Sequence, residues 1–329
     1  MMTCHSSLTI VRSAAVILAV LSSASRAIAE RPVVERPVTE RLETWHDPAR
    51  DRKLPVKFYL PAALKTPAPV VVLSPGLAGS REGYRFLGEA WAAHGYVVLV
   101  LEHVGSNAAI LKPDGDVTMN TARTALEFLA RAQDVHIVID RLETLNATAS
   151  DPLAGKLDLS RIAIAGHSYG AQTTQAIMGQ TYAGIGREIS LADARVKCGI
   201  AMSPSPPVGL RVPAEPFANM TLPFLHLTGT DDQSMTPGIG PKERRVPFDR
   251  ITATQQYLVT FQDGDHLLFT GMRRALPERQ QLDAAAHPLI KEITTKFLDA
   301  KLGGDAAADR WLREQMPAAV GTLGVVESK

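Results

Sequence analysis

The sequence predicts an α/β fold in which helices cover both faces of a mainly parallel, doubly wound sheet. Along most of the 329 residues, short apolar runs alternate with helical patterns, and no internal repeat or long linker interrupts them. Several of the runs are apolar throughout, as strands are when both faces of a parallel sheet are covered. Alternation of this kind favours a single open α/β domain.

The predicted strands are short and rich in Val, Ile and Leu. They lie at 56–60, 69–74, 96–102, 161–166, 198–203, 223–228 and 256–261. Helical patterns separate several of them: residues 84–95 end in a glycine, and apolar residues recur at three- and four-residue spacing over 121–145. A further helix is expected from Gly170 onward, and a last one over about 287–301.

Composition and charge exclude several classes of partner. Apolar residues make up 45% of the chain and charged residues 21%, which is an ordinary globular mixture. The net charge is +1, and the sequence has no long basic run. We therefore expect neither nucleic acid nor an anionic membrane surface as a partner.

The N-terminal segment has the features of an export signal. Arg12 precedes the apolar run AAVILAVLSSA, and residues 27–29 read Ala-Ile-Ala, the small-x-small pattern of a cleavage site. We expect a signal peptide at 1–29 and a periplasmic or secreted product with no membrane anchor after cleavage. The mature chain is expected to divide into a Pro- and charge-rich leader at 30–53, the α/β domain at 54–302 and a tail at 303–329.

Cysteine usage agrees with a chain that needs no disulfide. Cys4 lies in the predicted signal peptide, so only Cys198 is left after cleavage and an intramolecular disulfide is not possible. Cys198 lies in the apolar stretch VKCGIAM, which predicts a thiol buried in the core rather than a nucleophile.

The stretch IAIAGHSYGAQTTQ at 162–175 contains the strongest functional signal. A buried-strand pattern leads into GHSYG at 166–170, a match to G-x-S-x-G, and a helical pattern follows. In this pattern the serine occupies a sharp strand-to-helix turn, and the glycines avoid clashes there. A chance pentapeptide in a loop would lack the strand and the helix on either side. Ser168 is therefore the candidate nucleophile.

A serine hydroxyl needs a base to take its proton and an acid to orient that base. His266 follows the last predicted strand, and Asp231 and Asp232 follow the strand before it, at strand ends that face a ligand crevice. These residues alone leave the acid open between the two aspartates. His103 also follows a strand and could line the crevice. Structural or solvated roles are expected for His136, His226 and His287, and His167 should point elsewhere if Ser168 occupies the elbow.

An oxyanion hole needs backbone N–H donors aimed at the charge that develops in the tetrahedral intermediate. In the fold that carries such an elbow, one donor is the residue after the nucleophile, here Tyr169, and the other lies in a loop after an early strand. The loop PGLAG fits this place, with Gly76 permitting the bend and Leu77 offering its N–H. Its glycines are spaced wrongly for a dinucleotide site. Because the sequence has no Walker motif and no Cys/His cluster, we predict no cofactor and no metal.

These stretches together resemble the α/β-hydrolase superfamily and, within it, the bacterial dienelactone-hydrolase-like branch near the platelet-activating-factor acetylhydrolases and polyester hydrolases. The resemblance covers most of the mature chain and rests on residues 69–107, 157–174, 228–237 and 257–271. It implies Ser168 as nucleophile, His266 as base and Asp232 as acid. It also implies the N–H groups of Leu77 and Tyr169 as oxyanion donors.

Two departures limit what the resemblance implies. Many relatives have His-Gly in the oxyanion loop where this chain has Pro75-Gly76, and dienelactone hydrolases have a cysteine where this chain has Ser168. The serine favours ordinary ester hydrolysis. We expect an exported serine carboxylic-ester hydrolase that acts through an acyl-enzyme on a small-molecule or polymeric ester. The alternatives are an acyltransferase or polyester hydrolase with the same triad, and a non-catalytic binding protein of this fold.

The connection at 204–222 bears on substrate size. It is short and proline-rich, so it cannot form a helical lid of the kind that lipases place over the crevice. The stretch 104–120 is also modest in length. We expect an open cleft without a large cap domain, with a preference for short acyl groups from acetyl to butyryl.

Overall fold

A central sheet of nine strands organises the protein. The computed structural model describes residue 1 and residues 37–64, 66–111, 125–207, 210–234, 238–253, 255–272 and 274–329. Apart from Met1, the predicted signal peptide at 1–29 lies outside the described residues, so its cleavage stays a prediction. None of the helices in the described ranges combines the length and the hydropathy that a membrane span requires.

The strands of the described chain include all those that the sequence predicts. They are β1 (Val38–Asp47), β2 (Arg52–Pro61), β3 (Ala68–Ser74), β4 (Val97–Leu101), β5 (Leu157–His167), β6 (Thr181–Ala183), β7 (Glu188–Ser190), β8 (Val196–Met202), β9 (Phe224–Asp231), β10 (Gln256–Asp265) and β11 (Gly324–Ser328). The large sheet has the order β1-β2-β4-β3-β5-β8-β9-β10-β11, and β6 and β7 form a separate pair. The six strands from β4 to β10 in this order pair in parallel, and β1, β2 and β11 pair antiparallel with their neighbours.

The described helices are α1 (Arg85–His94), α2 (Ala125–Ala147), α3 (Tyr169–Ile177), α4 (Pro241–Arg244), α5 (Val246–Arg250), α6 (Pro277–Lys301), α7 (Ala306–Glu314) and α8 (Met316–Val320), with short 3-10 turns at Ala108–Ile110 and Gly321–Leu323. The helix α6 is longer than predicted, because it begins at Pro277 and contains Pro288 in its interior. A proline usually interrupts the helical pattern because it removes a backbone donor, which is why the sequence indicated a start close to that residue.

Alternate residues of the central strands enter two apolar clusters, one on each face of the sheet. Val71 and Leu73 of β3 join a cluster with α1 and α6, to which Trp91 belongs. Val70 and Val72 join a second cluster with α2 and α3. Successive side chains of a strand point to opposite faces, so helices cover both faces. The predicted doubly wound α/β fold is therefore confirmed.

The folded region extends beyond both boundaries that the sequence predicted for it. β1 lies within the predicted leader 30–53, pairs with β2, and packs Trp45 edge-on against Phe58. The predicted tail 303–329 forms α7, α8 and β11, and its Trp311 joins the cluster over α1 and α6. Edge strands face solvent along one side, so their apolar residues are diluted by charged ones. Composition alone therefore does not reveal that these segments are folded.

Two further expectations agree with the structure. Cys198 is fully buried in β8, and burial raises the pKa of its thiol, as expected of a core residue. The connection from β8 to β9 contains no helix in its described residues, 203–207 and 210–223. Within the described ranges, the chain thus has no cap domain at this point.

Candidate active site

Ser168 lies at the tight turn where β5 passes into α3. Its backbone has φ 56° and ψ −115°, a strained conformation for a residue other than glycine. The flanking glycines let the turn close: a Cβ on Gly166 would lie 2.2 Å from the carbonyl oxygen of Gly170, and a Cβ on Gly170 would lie 1.9 Å from that of Ser74. The predicted strand-to-helix turn is therefore present, with the serine at the carboxyl end of β5.

Three side chains near the carboxyl ends of three strands form one line of hydrogen bonds. His266 Nε2 lies 2.9 Å from Ser168 Oγ, and His266 Nδ1 lies 2.8 Å from Asp232 Oδ1. Asp232 follows β9 and His266 follows β10, and these two strands are parallel neighbours in the sheet. The structure thus brings the three predicted side chains together in the order that activation of a serine requires.

The two candidate acids differ in burial and in partners. Asp232 is fully buried, and besides the imidazole of His266 it accepts a hydrogen bond from Thr228 Oγ1 at 2.9 Å. Asp231 is exposed, and its carboxylate pairs with Arg279 at 3.2 Å. Of the two aspartates, only Asp232 lies within hydrogen-bond distance of His266, so the geometry selects Asp232 as the candidate acid.

Arg244 lies against this acid, and nothing in the sequence pattern indicated it. Its Nε lies 3.1 Å from Asp232 Oδ1, its Nη2 lies 3.1 Å from His266 Nδ1, and its Nη1 donates to the carbonyl oxygen of Ser203 at 2.9 Å. When His266 Nδ1 carries the proton that it donates to Asp232, the Nη2 contact is only a close approach. Burial alone would raise the pKa of Asp232, but the hydrogen bond from His266 and the charge of Arg244 lower this pKa below its ordinary value.

The loop between β3 and α1 crosses the turn at Ser168. A Cβ on Gly76 would lie 3.3 Å from His167 Nδ1 and 3.4 Å from Ser168 Cβ, so the glycine allows two backbone segments to approach closely. The left-handed residues of the loop are Ala78, with φ 60°, and Tyr84, with φ 61°. The small size of Gly76 thus favours this close approach, and its role in permitting the bend stays a prediction.

The two predicted oxyanion donors lie on these two segments. Among the described residues, the N–H of Leu77 donates to no acceptor, whereas that of its neighbour Ala78 donates to the carbonyl oxygen of Ser106 at 2.8 Å. Tyr169 is the first residue of α3, so its N–H belongs to the end of the helix that favours negative charge. Their role as oxyanion donors stays a prediction.

Tyr84 and His167 connect the loop to the segment that carries His266. The N–H of Gly76 donates to Tyr84 Oη at 3.0 Å, and that hydroxyl lies 3.1 Å from His167 Nδ1. His167 Nε2 lies 2.8 Å from the carbonyl oxygen of His266. Burial lowers the pKa of His167 to about 3, so the ring is neutral, accepts from Tyr84 and donates through Nε2. No sequence pattern indicated this connecting role for either residue.

A second serine–histidine–aspartate line lies in the core. Ser74 Oγ lies 2.9 Å from His103 Nε2, and His103 Nδ1 lies 2.9 Å from Asp134 Oδ2. All three side chains are buried, and burial together with the nearby charge of Arg131 lowers the pKa of His103 to about 3. The sequence left open that His103 lines the crevice. It does not, because the residue is 1% exposed and both of its ring nitrogens have partners inside the protein.

The three histidines for which structural or solvated roles were expected make structural contacts. His136 bonds the carboxylate of Asp193, His226 contacts the side chain of Gln256, and His287 bonds a backbone carbonyl. In the part of the chain that the structure describes, no three His, Cys, Asp or Glu side chains are arranged to hold a metal ion.

Comparison with protein families gives one match that spans most of the chain. A sequence model described as "Alpha/beta hydrolase family" matches residues 70–327. This range includes all five of the predicted site residues.

Curated relatives and a solved structure give more distant matches. A platelet-activating factor acetylhydrolase from Cavia porcellus is 24% identical over 294 residues, covering 79% of this chain and 63% of that protein. Cutinase est1 from Thermobifida alba is 28% identical over 110 residues, covering 33% of this chain and 30% of the cutinase. The chain thus spans less than two thirds of the length of each relative. A structure of a ferulic acid esterase from Streptomyces cinnamoneus superposes with a TM-score of 0.56 at 21% identity, covering 83% of this chain and 92% of the other, a likeness of fold.

Proposed function

The chain belongs to the alpha/beta hydrolase family, and we propose that it is a serine carboxylic-ester hydrolase that works through an acyl-enzyme. One observation carries this proposal: Ser168 Oγ, His266 and Asp232 lie in a continuous hydrogen-bonded line. The N–H of Leu77 on the adjacent loop supports it, since it donates to no acceptor among the described residues.

The proposed reaction follows from these positions. Ser168 Oγ attacks the ester carbonyl carbon while its proton passes to His266 Nε2, and the carbonyl oxygen becomes an oxyanion that accepts from the N–H groups of Leu77 and Tyr169. The intermediate collapses to an acyl-serine, and the alcohol leaves with the proton from His266. Water then attacks the acyl-serine by the same steps, with His266 again taking and returning the proton, and the acid is released. Asp232 stays ionised and holds the imidazole in the required tautomer.

For the substrate, we propose short acyl esters. The connection from β8 to β9 has no helix in its described residues, so it supplies no helical lid to enclose a long chain. One curated relative is an acetylhydrolase by name, which supports a small acyl group. The cutinases among the relatives favour a polymeric ester as the second candidate.

Acyl transfer to an alcohol other than water would use the same three side chains. Adding a primary alcohol to the assay separates the two activities, because a transferase would form the new ester in preference to the free acid. A purely binding role is disfavoured because none of the three side chains is missing from the line.

A fluorophosphonate probe tests the proposal directly, since it reacts with an activated serine. The wild-type protein should be labelled at Ser168, and Ser168→Ala should stay unlabelled. Ser74→Ala is the matched control, because Ser74 also contacts a histidine that contacts an aspartate, and this variant should keep the label. Labelling that persists in Ser168→Ala and disappears in Ser74→Ala would contradict the proposal.

We also propose export, on the sequence pattern of residues 1–29 alone. Expression in a bacterial host should give a product outside the cytoplasm that begins at Glu30. A cytoplasmic product that retains these residues would contradict export and leave the proposed chemistry unaffected.

A further inference from the structure

We propose that Arg131, a residue of α2, positions the oxyanion hole by holding together the two segments that carry its donors. The inference rests on the function proposed above. It makes Arg131 a positioning residue, which acts through the backbone of its neighbours and does not touch the substrate.

The guanidinium of Arg131 is fully buried and contacts both segments at once. On the loop side, Nη2 donates to the carbonyl oxygen of Pro75 and lies 3.2 Å from Ser74 Oγ. On the elbow side, Nε donates to Thr173 Oγ1 in α3 at 3.2 Å, and the guanidinium carbon lies 4.4 Å from the centre of the Tyr169 ring. A single planar group thus spans the gap between the loop and the helix.

A third attachment holds the far side of the loop. Arg131 Nη1 donates to Ser106 Oγ at 2.8 Å, and the carbonyl oxygen of Ser106 accepts from the N–H of Ala78 at 2.8 Å. Pro75 and Ala78 lie on either side of Leu77 in the chain. The backbone that aims the Leu77 N–H is therefore held at both ends, and both attachments lead to Arg131.

The buried serine–histidine–aspartate line fixes the direction of one of these bonds. Because His103 is neutral and its Nδ1–H donates to Asp134, its Nε2 accepts the proton of the Ser74 hydroxyl. Ser74 Oγ then has a lone pair to offer to Arg131. Asp134 is bonded in turn by both Arg50 and Arg52, so it keeps a charged partner when Arg52 is removed. The line thus supports the guanidinium rather than activating a second nucleophile.

The partners of Arg131 indicate that position, more than stability, is what the residue provides. Its hydrogen bonds within the described chain all go to neutral oxygens of hydroxyl and carbonyl groups. Burial lowers its pKa to about 10, which leaves the group charged at neutral pH. A buried charge without a carboxylate at hydrogen-bond distance is costly to the fold. An apolar side chain of similar length would fill the same space, but it could not hold the loop and α3 in register.

An oxyanion donor stabilises the transition state only when it lies within hydrogen-bond distance of the oxygen where charge develops. Loss of the Arg131 contacts should therefore lower kcat and leave substrate binding, measured by KM, nearly unchanged. A residue that merely stabilises the fold would lower the active fraction without such a split.

The test compares two variants of the full chain, Arg131→Met and Arg52→Met. Both remove a guanidinium from the same buried network, but only Arg131 contacts the loop and α3. With p-nitrophenyl butyrate, kcat of Arg131→Met should fall about 100-fold while KM stays within about threefold, as for a displaced oxyanion donor. The kcat of Arg52→Met should stay within about threefold of wild type, with thermal unfolding curves used to correct both variants for folded fraction.

A transition-state analogue gives a second readout. Ser168 Oγ adds to the carbonyl carbon of an alkyl trifluoromethyl ketone, its proton passes to His266, and the ketone oxygen becomes an alkoxide at the oxyanion position. The inhibition constant should rise in Arg131→Met by about the factor by which kcat/KM falls, and should not change in Arg52→Met. Arg131→Lys keeps the charge but cannot bond the loop and α3 together. Its kcat should fall by at least about tenfold, which covers the case in which the Met variant does not fold.

Equal kcat values for the Arg131 and Arg52 variants at equal folded fraction would overturn the inference, as would a change confined to KM. A wild-type protein that hydrolyses no ester and takes no fluorophosphonate label would instead overturn the proposed function, and the positioning role with it. The two failures are thus distinguishable.

Discussion

Two serine–histidine–aspartate lines in this molecule have almost the same geometry and different surroundings. In the line of Ser168, the contacts of His266 measure 2.9 and 2.8 Å, and in the line of Ser74, those of His103 measure 2.9 and 2.9 Å. The His266 side chain is 18% exposed, whereas that of His103 is 0% exposed. Distances among three side chains therefore do not distinguish an active site from a structural network.

The difference lies in strain, access and the partners of the serine. Ser168 occupies a strained turn, as a nucleophile does when its hydroxyl must project from the sheet. Ser74 is the last residue of β3, and its hydroxyl contacts Arg131 as well as His103. A tetrahedral intermediate needs space beside the serine and N–H donors aimed at its oxygen. Ser168 is partly exposed, whereas Ser74 is fully buried, so only the first line can be reached from solvent.

The largest expected effect separates the candidate acid from its neighbour. Asp232→Asn should lower kcat/KM by roughly 10⁴-fold, because the amide no longer holds the productive tautomer of His266. Asp231→Asn removes only a surface pair and should stay within about tenfold of wild type. Steady-state kinetics on p-nitrophenyl butyrate measure both. The reverse ranking would reassign the acid.

Asp134, the aspartate in the line of Ser74, should affect the stability of the fold and leave catalysis nearly unchanged. Asp134 is buried and bonds Arg50, Arg52 and His103. Asp134→Asn leaves the two arginines without their common anion, so the free energy of unfolding should fall by about 3–5 kcal/mol. At a temperature where the variant is folded, kcat should remain within about tenfold of wild type. Urea unfolding and kinetics on one preparation measure both quantities. A loss of kcat at full stability would contradict the structural role of the line of Ser74.

Acid should weaken the fold through its buried histidines. His103 has an ordinary pKa of 6.5 when unfolded and about 3 when folded, so below 6.5 the unfolded chain binds a proton that the folded chain does not. The free energy of unfolding should therefore fall as pH is lowered from about 6.5 towards 3, by at most about 1.4 kcal/mol per pH unit for this residue. His167 and His226 add similar contributions, since burial lowers the pKa of each to about 3.

Comparison of His103→Gln with wild type isolates one of these contributions. Glutamine does not titrate. Below about pH 6, the slope of the unfolding free energy against pH should therefore decrease by the amount that one bound proton contributes. Urea unfolding across that range measures the slope. An unchanged slope would mean that His103 is not buried as a neutral ring.

The smallest expected effect concerns the length of the acyl chain that the site at Ser168 prefers. If the cleft at Ser168 encloses no long acyl chain, each added methylene should gain little of the roughly 0.8 kcal/mol that full burial gives. Values of kcat/KM on p-nitrophenyl acetate, butyrate, octanoate and palmitate should therefore be flat or fall with chain length. A steady rise towards palmitate would indicate an apolar channel, and the short-chain assignment would fail.

Much of the fold and of the site could be predicted because the signals are local. Continuous apolar runs indicated the parallel strands, and the GHSYG stretch indicated the turn that holds Ser168. The parallel sheet places Asp232 and His266 at neighbouring strand ends, so their positions in sequence were informative. The edge strand β1 and the segments after α6 gave weaker patterns, because their exposed sides carry charged residues.

What the sequence determined by itself was the alternation of strands and helices, the strained turn and the side chains that the strand ends carry. The tertiary structure alone decided which of two equivalent serine–histidine–aspartate lines meets solvent, and that Arg131 and Arg244 lie against the site. Arg131 reaches the Pro75 carbonyl across 56 residues of sequence, and Arg244 reaches His266 across 22. The periodicity of a sequence predicts which face of a helix or strand is buried. It does not predict which distant polar group a side chain on that face will contact. Burial and partners, which decide what a titratable side chain can do, arise only when the chain has folded.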